Sequence, residues 1–200
     1  DTNIASTGLM VWLYLEHCNF SNYSQTSLDA LYSALITDTG SFRFNSTNSD
    51  CHEMAAFLLK KGVKPYNVYE KIYERRSLFQ INLLSESIKN LKFNFDKQVC
   101  GVIISKEIQK TAGANYEHVE GFTDFFRSIE GVQVAYCIVE QDYSFRINFR
   151  SRGKYIINDI AKSFEGGGHE LAAGASVENL SGNEIESKIL KMLKRKIDVN

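Results

Sequence analysis

The apolar residues in the first part of the chain recur at helical spacing. Between residues 28 and 36 they are separated by one, three or four positions, which places them on one face of an α-helix. Ser6 precedes an earlier apolar stretch and could cap a helix there. Helical patterns return at residues 54–60 and 65–74. We therefore predict a mostly helical part that extends to about Ser77.

A helical connector is predicted next. Residues 78–91 carry apolar positions at helical spacing, with Ile81, Leu84 and Ile88 on one side of the helix. Near Phe95 the pattern changes to short, β-branched apolar runs. The connector is therefore expected to end at about this point.

From about Asp96 onward, strand and helix patterns alternate. The predicted strands are residues 99–104, 132–139 and 145–150. The predicted helices are residues 119–129, residues 156–164 and a last helix opened by a capping box of Ser181 and Glu184. This alternation predicts an α/β fold class, with a helical first part and a small α/β domain after it.

The composition and charge of the chain exclude some classes of function. With 44% hydrophobic and 24% charged residues among 200, the chain can bury a sizeable core. The net charge of -1 excludes a generally basic nucleic-acid coat protein but allows a local basic site. No apolar run is long enough to span a bilayer. The four cysteines are scattered, which disfavours a disulfide framework or zinc site and fits a reducing cytosol.

The segment Thr37-Asp38-Thr39-Gly40 places a carboxylate at or just past the end of an apolar helix. The helix dipole disfavours a negative charge there by about 0.3–1 kcal/mol, and a bound cation would reverse that penalty. The alternative is an aspartate that starts a loop through an Asx turn. An aspartic protease is disfavoured, because its motif follows a strand and occurs twice.

The next segment, Ser41-Phe42-Arg43-Phe44, alternates as a strand would. Phe42 and Phe44 are expected to face a core and Arg43 to face outward. Arg43 could pair with Asp38 or bind a phosphate. An ordinary solvated arginine is an equally good interpretation.

The strand predicted at residues 145–150 has a polar face. Its period of two sends Arg146, Asn148 and Arg150 to one side, with Arg152 just beyond. Guanidinium groups match phosphate geometry, so this local positive face is a candidate phosphate-binding surface. The alternative is a half-exposed strand whose outer face is simply solvated.

The most specific pattern is Gly166-Gly167-Gly168-His169, followed by Ala172-Ala173-Gly174. Three glycines exceed what a helix C-cap needs. Such a backbone can approach a ligand closely and offer N–H groups to an anion. His169 could donate to a phosphate or stack on a base. The alternative is a tight helix-to-strand turn with a structural histidine.

These motifs together resemble the DHH family of phosphoesterases. The glycine-histidine segment resembles the signature of the DHH-associated (DHHA1) domain, and residues 37–44 resemble the last acidic motif of the DHH domain. The opening Ala5-Ser6-Thr7 is similar to the segment that follows the Asp-His-His motif. The subgroup most like this chain is the RecJ-like bacterial oligoribonuclease (nanoRNase) and phosphoadenosine-phosphate phosphatase type.

The resemblance implies a domain plan and an activity. Residues 1–77 would be the C-terminal part of the DHH lobe, 78–95 the connector and 96–200 a DHHA1 domain with a mixed sheet. The activity would be manganese-dependent hydrolysis of short RNA, phosphoadenosine phosphate and linear dinucleotides, in a cytoplasmic homodimer without a membrane partner. Asp38 would be a catalytic ligand of the two manganese ions. The implied substrate-binding residues are Arg43, Arg150, Gly166, Gly167, Gly168 and His169.

The chain also departs from the family. The Asp-x-Asp and Asp-His-His metal motifs are absent from the sequence, which lacks an initiating methionine and starts at Asp1. We therefore expect a C-terminal portion of a longer enzyme, inactive by itself. The alternative is a non-catalytic nucleotide-binding or RNA-binding module.

Overall fold

A computed structural model describes residues 4–198. The chain divides into two compact units, with the boundary between Arg76 and Ser77. The first unit is helical, and the second combines helices with a mixed sheet, so the predicted α/β class is confirmed. No helix in the described range is long and apolar enough to cross a membrane.

The described part of the first unit consists of helices packed around one core. They are α1 (Thr7–His17), α2 (Gln25–Asp38), α3 (Ser49–Lys60) and α4 (Pro65–Tyr73). Ser6, Ser24 and Asn48 cap the first three helices, since each side chain accepts a hydrogen bond from the first turn. Pro65 opens α4, where its missing N–H costs nothing. The largest fully buried core side chains are Leu9, Leu35, Met54 and Leu58.

The second unit alternates helices and strands around one sheet. Its helices are α5 (Leu78–Lys89), α6 (Lys106–Thr111), α7 (Phe122–Arg127), α8 (Asn158–Lys162) and α9 (Gly182–Asp198), with a 3-10 turn at Tyr116–Val119. Its strands are β1 (Lys92–Asn94), β2 (Val99–Ile104), β3 (Val134–Glu140), β4 (Phe145–Ser151), β5 (Gly167–His169) and β6 (Ala172–Val177). Over the described residues the order is β1-β2-β3-β4-β6-β5. Strands β2 and β3 are parallel, and the other neighbours are antiparallel.

Helices cover the two faces of the sheet unequally. On one face, α8 and α9 bury a core that includes Tyr136, Ile147 and Phe149. On the other face, α5, α6 and α7 bury a core over β2 and β3 that includes Val102 and Cys137. The residues of β4, β5 and β6 that project from this second face are exposed or half-buried. An open polar area therefore remains beside α7.

Two predicted helices are wrong in extent. The helix expected at residues 119–129 is interrupted at Gly121, whose φ of 80° is left-handed, and α7 starts only at Phe122. The helix expected at 156–164 is confined to α8, because Ile157 has a non-helical conformation at its start. In both segments, apolar residues outside the helix are also buried in the core. The apolar pattern is therefore longer than the helix itself, which is why the sequence predicted helices that are too long.

The connector helix α5 packs only partly on the predicted side, where Leu84 is partly buried against the core over β2 and β3. Leu83 and Ser87 are its buried residues, whereas Ile81 and Ile88 are 43% and 46% exposed. The buried hydroxyl of Ser87 is satisfied, since it donates to the carbonyl oxygen of Leu83 at 2.7 Å. Two adjacent faces of α5 carry apolar residues, and contact with β2 selects one of them.

Candidate functional site

Asp38 lies at a helix end whose following loop is held by hydrogen bonds. It is the last residue of α2, and its side chain is exposed. The next residue, Thr39, is buried; its hydroxyl donates to a carbonyl one turn earlier in α2 at 2.6 Å and accepts the N–H of Phe42 at 3.1 Å. The carbonyl of Thr39 accepts the N–H groups of Arg43 and Phe44. Asp38 therefore stands exposed at a fixed corner of the first unit.

The strand expected at residues 41–44 is wrong, because the chain turns there. Gly40, Ser41 and Phe42 have φ angles of 55°, 57° and 65°. Three successive left-handed residues cannot send side chains alternately to two faces. Phe42 is instead half-buried and stacks on His52, with ring centroids 4.9 Å apart.

The side chain of Arg43 stabilises this turn. Its Nε–H donates to the carbonyl oxygen of Gly40 at 2.7 Å. Among residues 4–198, Arg43 makes no ion pair with Asp38. A Cβ on Gly40 would lie 2.6 Å from the ring of Phe44, and its φ is left-handed, so both the space and the backbone conformation favour glycine there.

The residues around Asp38 do not form a complete metal site. A carboxylate suits a hard ion such as manganese or magnesium, which usually takes about six ligands. Across the described part of the chain, no group of three or more His, Cys, Asp and Glu side chains could hold a metal ion. The Asp38 carboxylate can therefore supply one ligand to such an ion, but the described residues do not supply the rest of a coordination sphere.

A second group of predicted site residues lies on the sheet. In β4, Ile147 and Phe149 are buried in the core under α8 and α9. Arg146 is exposed and Asn148 and Arg150 are half-buried on the opposite face. The predicted alternation of this strand is therefore confirmed.

The strand register brings Arg150 and His169 to the same face. Arg150 pairs with Ala172 of β6, and Ala172 pairs with His169 of β5. Paired residues project from the same side, and strands are about 4.8 Å apart, so Arg150 and His169 stand about 10 Å apart across a small alanine. The next row pairs Asn148, Gly174 and Gly167. We call this surface the polar strand face: Arg146, Asn148, Arg150, Gly167, His169, Ala172 and Gly174.

The glycine motif is a strand rather than only a turn, since Gly167–His169 form β5. A Cβ on Gly166 would overlap the carbonyl oxygen of Gly174, and a Cβ on Gly168 would lie 2.5 Å from the carbonyl oxygen of Ala172. By contrast, a Cβ on Gly167 would meet nothing within 4 Å. Packing against β6 thus explains two of the three glycines, and Gly167 is left open to solvent on the polar strand face.

Arg150 is anchored by α7. Its Nε–H donates to the two carboxylate oxygens of Asp124 at 3.2 and 3.1 Å, and its Nη1 donates to the carbonyl of Phe149 at 3.0 Å. A guanidinium has five N–H donors, so others remain for an anion. The sequence pattern did not reveal Asp124, because its partner lies far along the chain and α7 shows only apolar spacing.

Arg152 has a structural role instead. Its guanidinium donates to the carbonyl oxygens of Arg127, Ser128 and Ile129 at 3.0 to 3.3 Å. These carbonyl groups lie at the C-terminal end of α7 and just after it, where a cation is favoured by the helix dipole. Arg152 therefore stabilises α7 and does not belong to the phosphate-binding cluster suggested by the sequence.

His169 is exposed at the end of β5. In the part of the chain that the structure describes, no hydrogen bond or ion pair engages its side chain. An unengaged imidazole on this row can donate a hydrogen bond to an anion or stack on a ring. His169 therefore stands exposed, and unengaged by the described residues, at the edge of the polar strand face.

Comparison with known proteins identifies the family of this chain. The DHHA1 domain profile matches residues 96–198. The bifunctional oligoribonuclease and PAP phosphatase NrnA of Thermus thermophilus is 28% identical over 163 residues, which cover 82% of this chain and 48% of that protein. NrnA of Bacillus subtilis is 27% identical over 179 residues, which cover 88% and 56%. The chain spans about half the length of these relatives.

A solved structure is similar across both units. The crystal structure of an exopolyphosphatase-related protein from Bacteroides fragilis has a TM-score of 0.91 and 27% sequence identity, covering 97% of this chain and 57% of that one. The profile match covers just over half of the chain and includes β2 to β6 with the polar strand face. This chain therefore belongs to the DHH phosphoesterase family, with residues 96–198 as its DHHA1 domain.

Proposed function

We propose that the complete protein is a manganese-dependent phosphoesterase that hydrolyses short RNA oligonucleotides and small nucleotides, including phosphoadenosine phosphate and linear dinucleotides. The observation that carries this proposal is the polar strand face, where the register joins Arg150 and His169 across a floor of glycine and alanine. The relatives named as oligoribonuclease and PAP phosphatase support the same substrate class.

In this proposal the second unit holds the phosphate-bearing end of the substrate. The free N–H groups of Arg150 and the imidazole of His169 bind the phosphate by charge-assisted hydrogen bonds. Asp124 keeps the Arg150 guanidinium in place, which reduces the side-chain entropy lost on binding. Gly167 lets the substrate approach the backbone, because no side chain stands there.

Asp38 is proposed as one metal ligand of the complete protein. Bound manganese ions would supply an activated water for attack on phosphorus. The other ligands would come from residues outside this chain, because the described residues hold no cluster of three. We therefore propose that the chain is the C-terminal portion of the enzyme and that it binds substrate without hydrolysing it.

The proposal extends to location and assembly. We propose a cytoplasmic homodimer without a membrane partner. The four cysteines are free thiols, and three of them are buried, which supports a reducing compartment. Size-exclusion chromatography with light scattering tests the dimer.

A second candidate is a non-catalytic nucleotide-binding or RNA-binding module. The lack of a three-ligand cluster within residues 4–198 is the observation that favours it. The two candidates share the polar strand face and differ in hydrolysis by the complete protein. Manganese-dependent release of mononucleotides by that protein supports the enzyme, and binding without release supports the module.

The binding site is tested by calorimetric titration of 5′-phosphorylated diadenylate into the 200-residue chain. Arg150→Ala and His169→Ala should each weaken binding about tenfold or more, since a charge-assisted hydrogen bond is worth about 1.5–3 kcal/mol. Arg195→Ala and His17→Ala, which remove exposed residues of the same types elsewhere, should bind like the parent. Parent-like binding by both Arg150→Ala and His169→Ala would place the nucleotide site elsewhere.

A further inference from the structure

Arg146 stands at the other end of the polar strand face from His169. It lies in β4, where it pairs with Val139 on one side and Ser176 on the other. Its side chain is exposed. Within residues 4–198, no hydrogen bond or ion pair engages the guanidinium.

The other charges of this region are already compensated. Asp124 accepts from Arg150 at 3.1 Å and lies 3.6 Å from Arg127. Arg152 is bound to carbonyl oxygens behind α7. Arg146 is therefore the cation of the polar strand face that the described structure leaves uncompensated.

Spacing along β4 relates Arg146 to the proposed phosphate site. Residues on one face of a strand recur at about 6.8 Å, twice the rise of about 3.4 Å per residue. Arg150, Asn148 and Arg146 therefore form a ladder, and its ends are about 14 Å apart. Beside Asn148 the row consists of Gly174 and Gly167, so the amide of Asn148 is the side chain that this row places between the two arginines.

We infer that Arg146 forms a second anion subsite, which binds a further phosphate of the same oligonucleotide and makes the polar strand face sensitive to substrate length. This inference rests on the proposed function. A ligand with one phosphate occupies only the row of Arg150 and His169. An oligonucleotide with several phosphates also reaches Arg146, with the amide of Asn148 available to its sugar or base.

The test compares two ligands on the 200-residue chain: adenosine 5′-monophosphate and 5′-phosphorylated tetraadenylate. Arg146→Gln should weaken tetraadenylate binding about tenfold, or ~1.4 kcal/mol, and leave the monophosphate within twofold. The slope of log K against log salt for tetraadenylate should fall in magnitude by about 0.7, because the variant neutralises one phosphate fewer on a single strand. Arg150→Gln should weaken both ligands, and Arg195→Gln, an equal charge change on α9, should affect neither.

The outcomes separate this inference from the proposed function. If Arg150→Gln weakens both ligands and Arg146→Gln weakens neither, the second subsite is refuted and the nucleotide site stands. If Arg146→Gln weakens both ligands equally, Arg146 belongs to the terminal phosphate site and the length dependence is refuted. If neither Arg150→Gln nor His169→Ala changes any affinity, the proposed function fails. Urea unfolding of Arg146→Gln should match the parent, because the described residues give this side chain no partner.

Discussion

Alanine substitutions along Gly166-Gly167-Gly168 separate the structural role of the glycine motif from its proposed role in binding. At Gly168, φ is 135° and a Cβ would lie 2.5 Å from the carbonyl oxygen of Ala172. Overpacking costs about 1–3 kcal/mol, and a strained backbone conformation adds about 1–3 kcal/mol. Gly168→Ala should therefore lower the free energy of unfolding by at least ~2 kcal/mol. Gly166→Ala, with a Cβ against the backbone of β6, should lose about 1–3 kcal/mol.

Gly167→Ala should behave in the opposite way. Nothing lies within 4 Å of its Cβ position, and its φ is outside the left-handed region. The free energy of unfolding should therefore change by no more than about 0.5 kcal/mol. The added methyl group projects into the polar strand face, where it should obstruct close approach of a nucleotide and weaken diadenylate binding roughly tenfold, or ~1.4 kcal/mol.

The assay is urea unfolding followed by circular dichroism, together with calorimetric titration of diadenylate. Gly153→Ala is the control for backbone strain alone, because Gly153 has a φ of 118° and open space at its Cβ position. The difference between Gly168→Ala and Gly153→Ala then measures the close approach to β6. Parent-like stability of Gly166→Ala and Gly168→Ala would refute the packing argument. Parent-like binding by Gly167→Ala would mean that the glycine motif has only a structural role, as a hairpin.

The remaining predictions address hydrolysis and the cysteines. Asp38→Asn should abolish manganese-dependent hydrolysis by the complete protein while preserving its fold, and near-normal turnover by this variant would contradict the assignment of Asp38. The 200-residue chain should release no mononucleotide from diadenylate, and robust release would contradict its proposed inactivity. Burial raises the pKa of the Cys100 and Cys137 thiols to about 12, whereas unfolded thiols ionise near about 8.5. Stability should therefore fall as the pH rises above ~8.5, because only the unfolded chain loses these protons. Labelling with iodoacetamide at about pH 9, just above the ordinary thiol pKa, should modify the exposed Cys18 in the native protein. The buried Cys51, Cys100 and Cys137 should react only after denaturation. Rapid labelling of a buried cysteine in the native protein, detected by mass spectrometry, would contradict this prediction.

Short-range signals in the sequence predicted several elements of the second unit, including β4, but not strands β5 and β6. The capping box of α9 is confirmed, since the N–H of Glu184 donates to Ser181 and the Glu184 carboxylate accepts the N–H of Ser181. The hydroxyl and then the N–H of Ser181, which both donate to the Glu184 carboxylate, lower the pKa of Glu184. The strand at residues 99–104 and the alternating face of β4 are also confirmed. Each signal depends on residues within a few positions of one another, which is why a sequence pattern can contain it.

The turn after Asp38 shows where such signals fail. Alternation at residues 41–44 predicted a strand, but Phe42 has a φ of 65°, which a bulky residue seldom adopts. Stacking on His52 and the hydrogen bonds to Thr39 support that conformation. His52 comes from α3, so the decisive contact lies outside the local pattern.

By itself, the sequence determined the fold class, the alternating polar face of β4 and the glycine-histidine motif as a candidate site, because period and residue type are local properties. Only the tertiary structure decided that Arg150 and His169 share a row, that Asp124 anchors Arg150 and that Arg152 supports α7. Those relations depend on strand order and register, which are set by the packing of two cores on opposite faces of one sheet. A shift of one residue in β5 or β6 would turn His169 to the other face, and no pattern within either segment specifies that register.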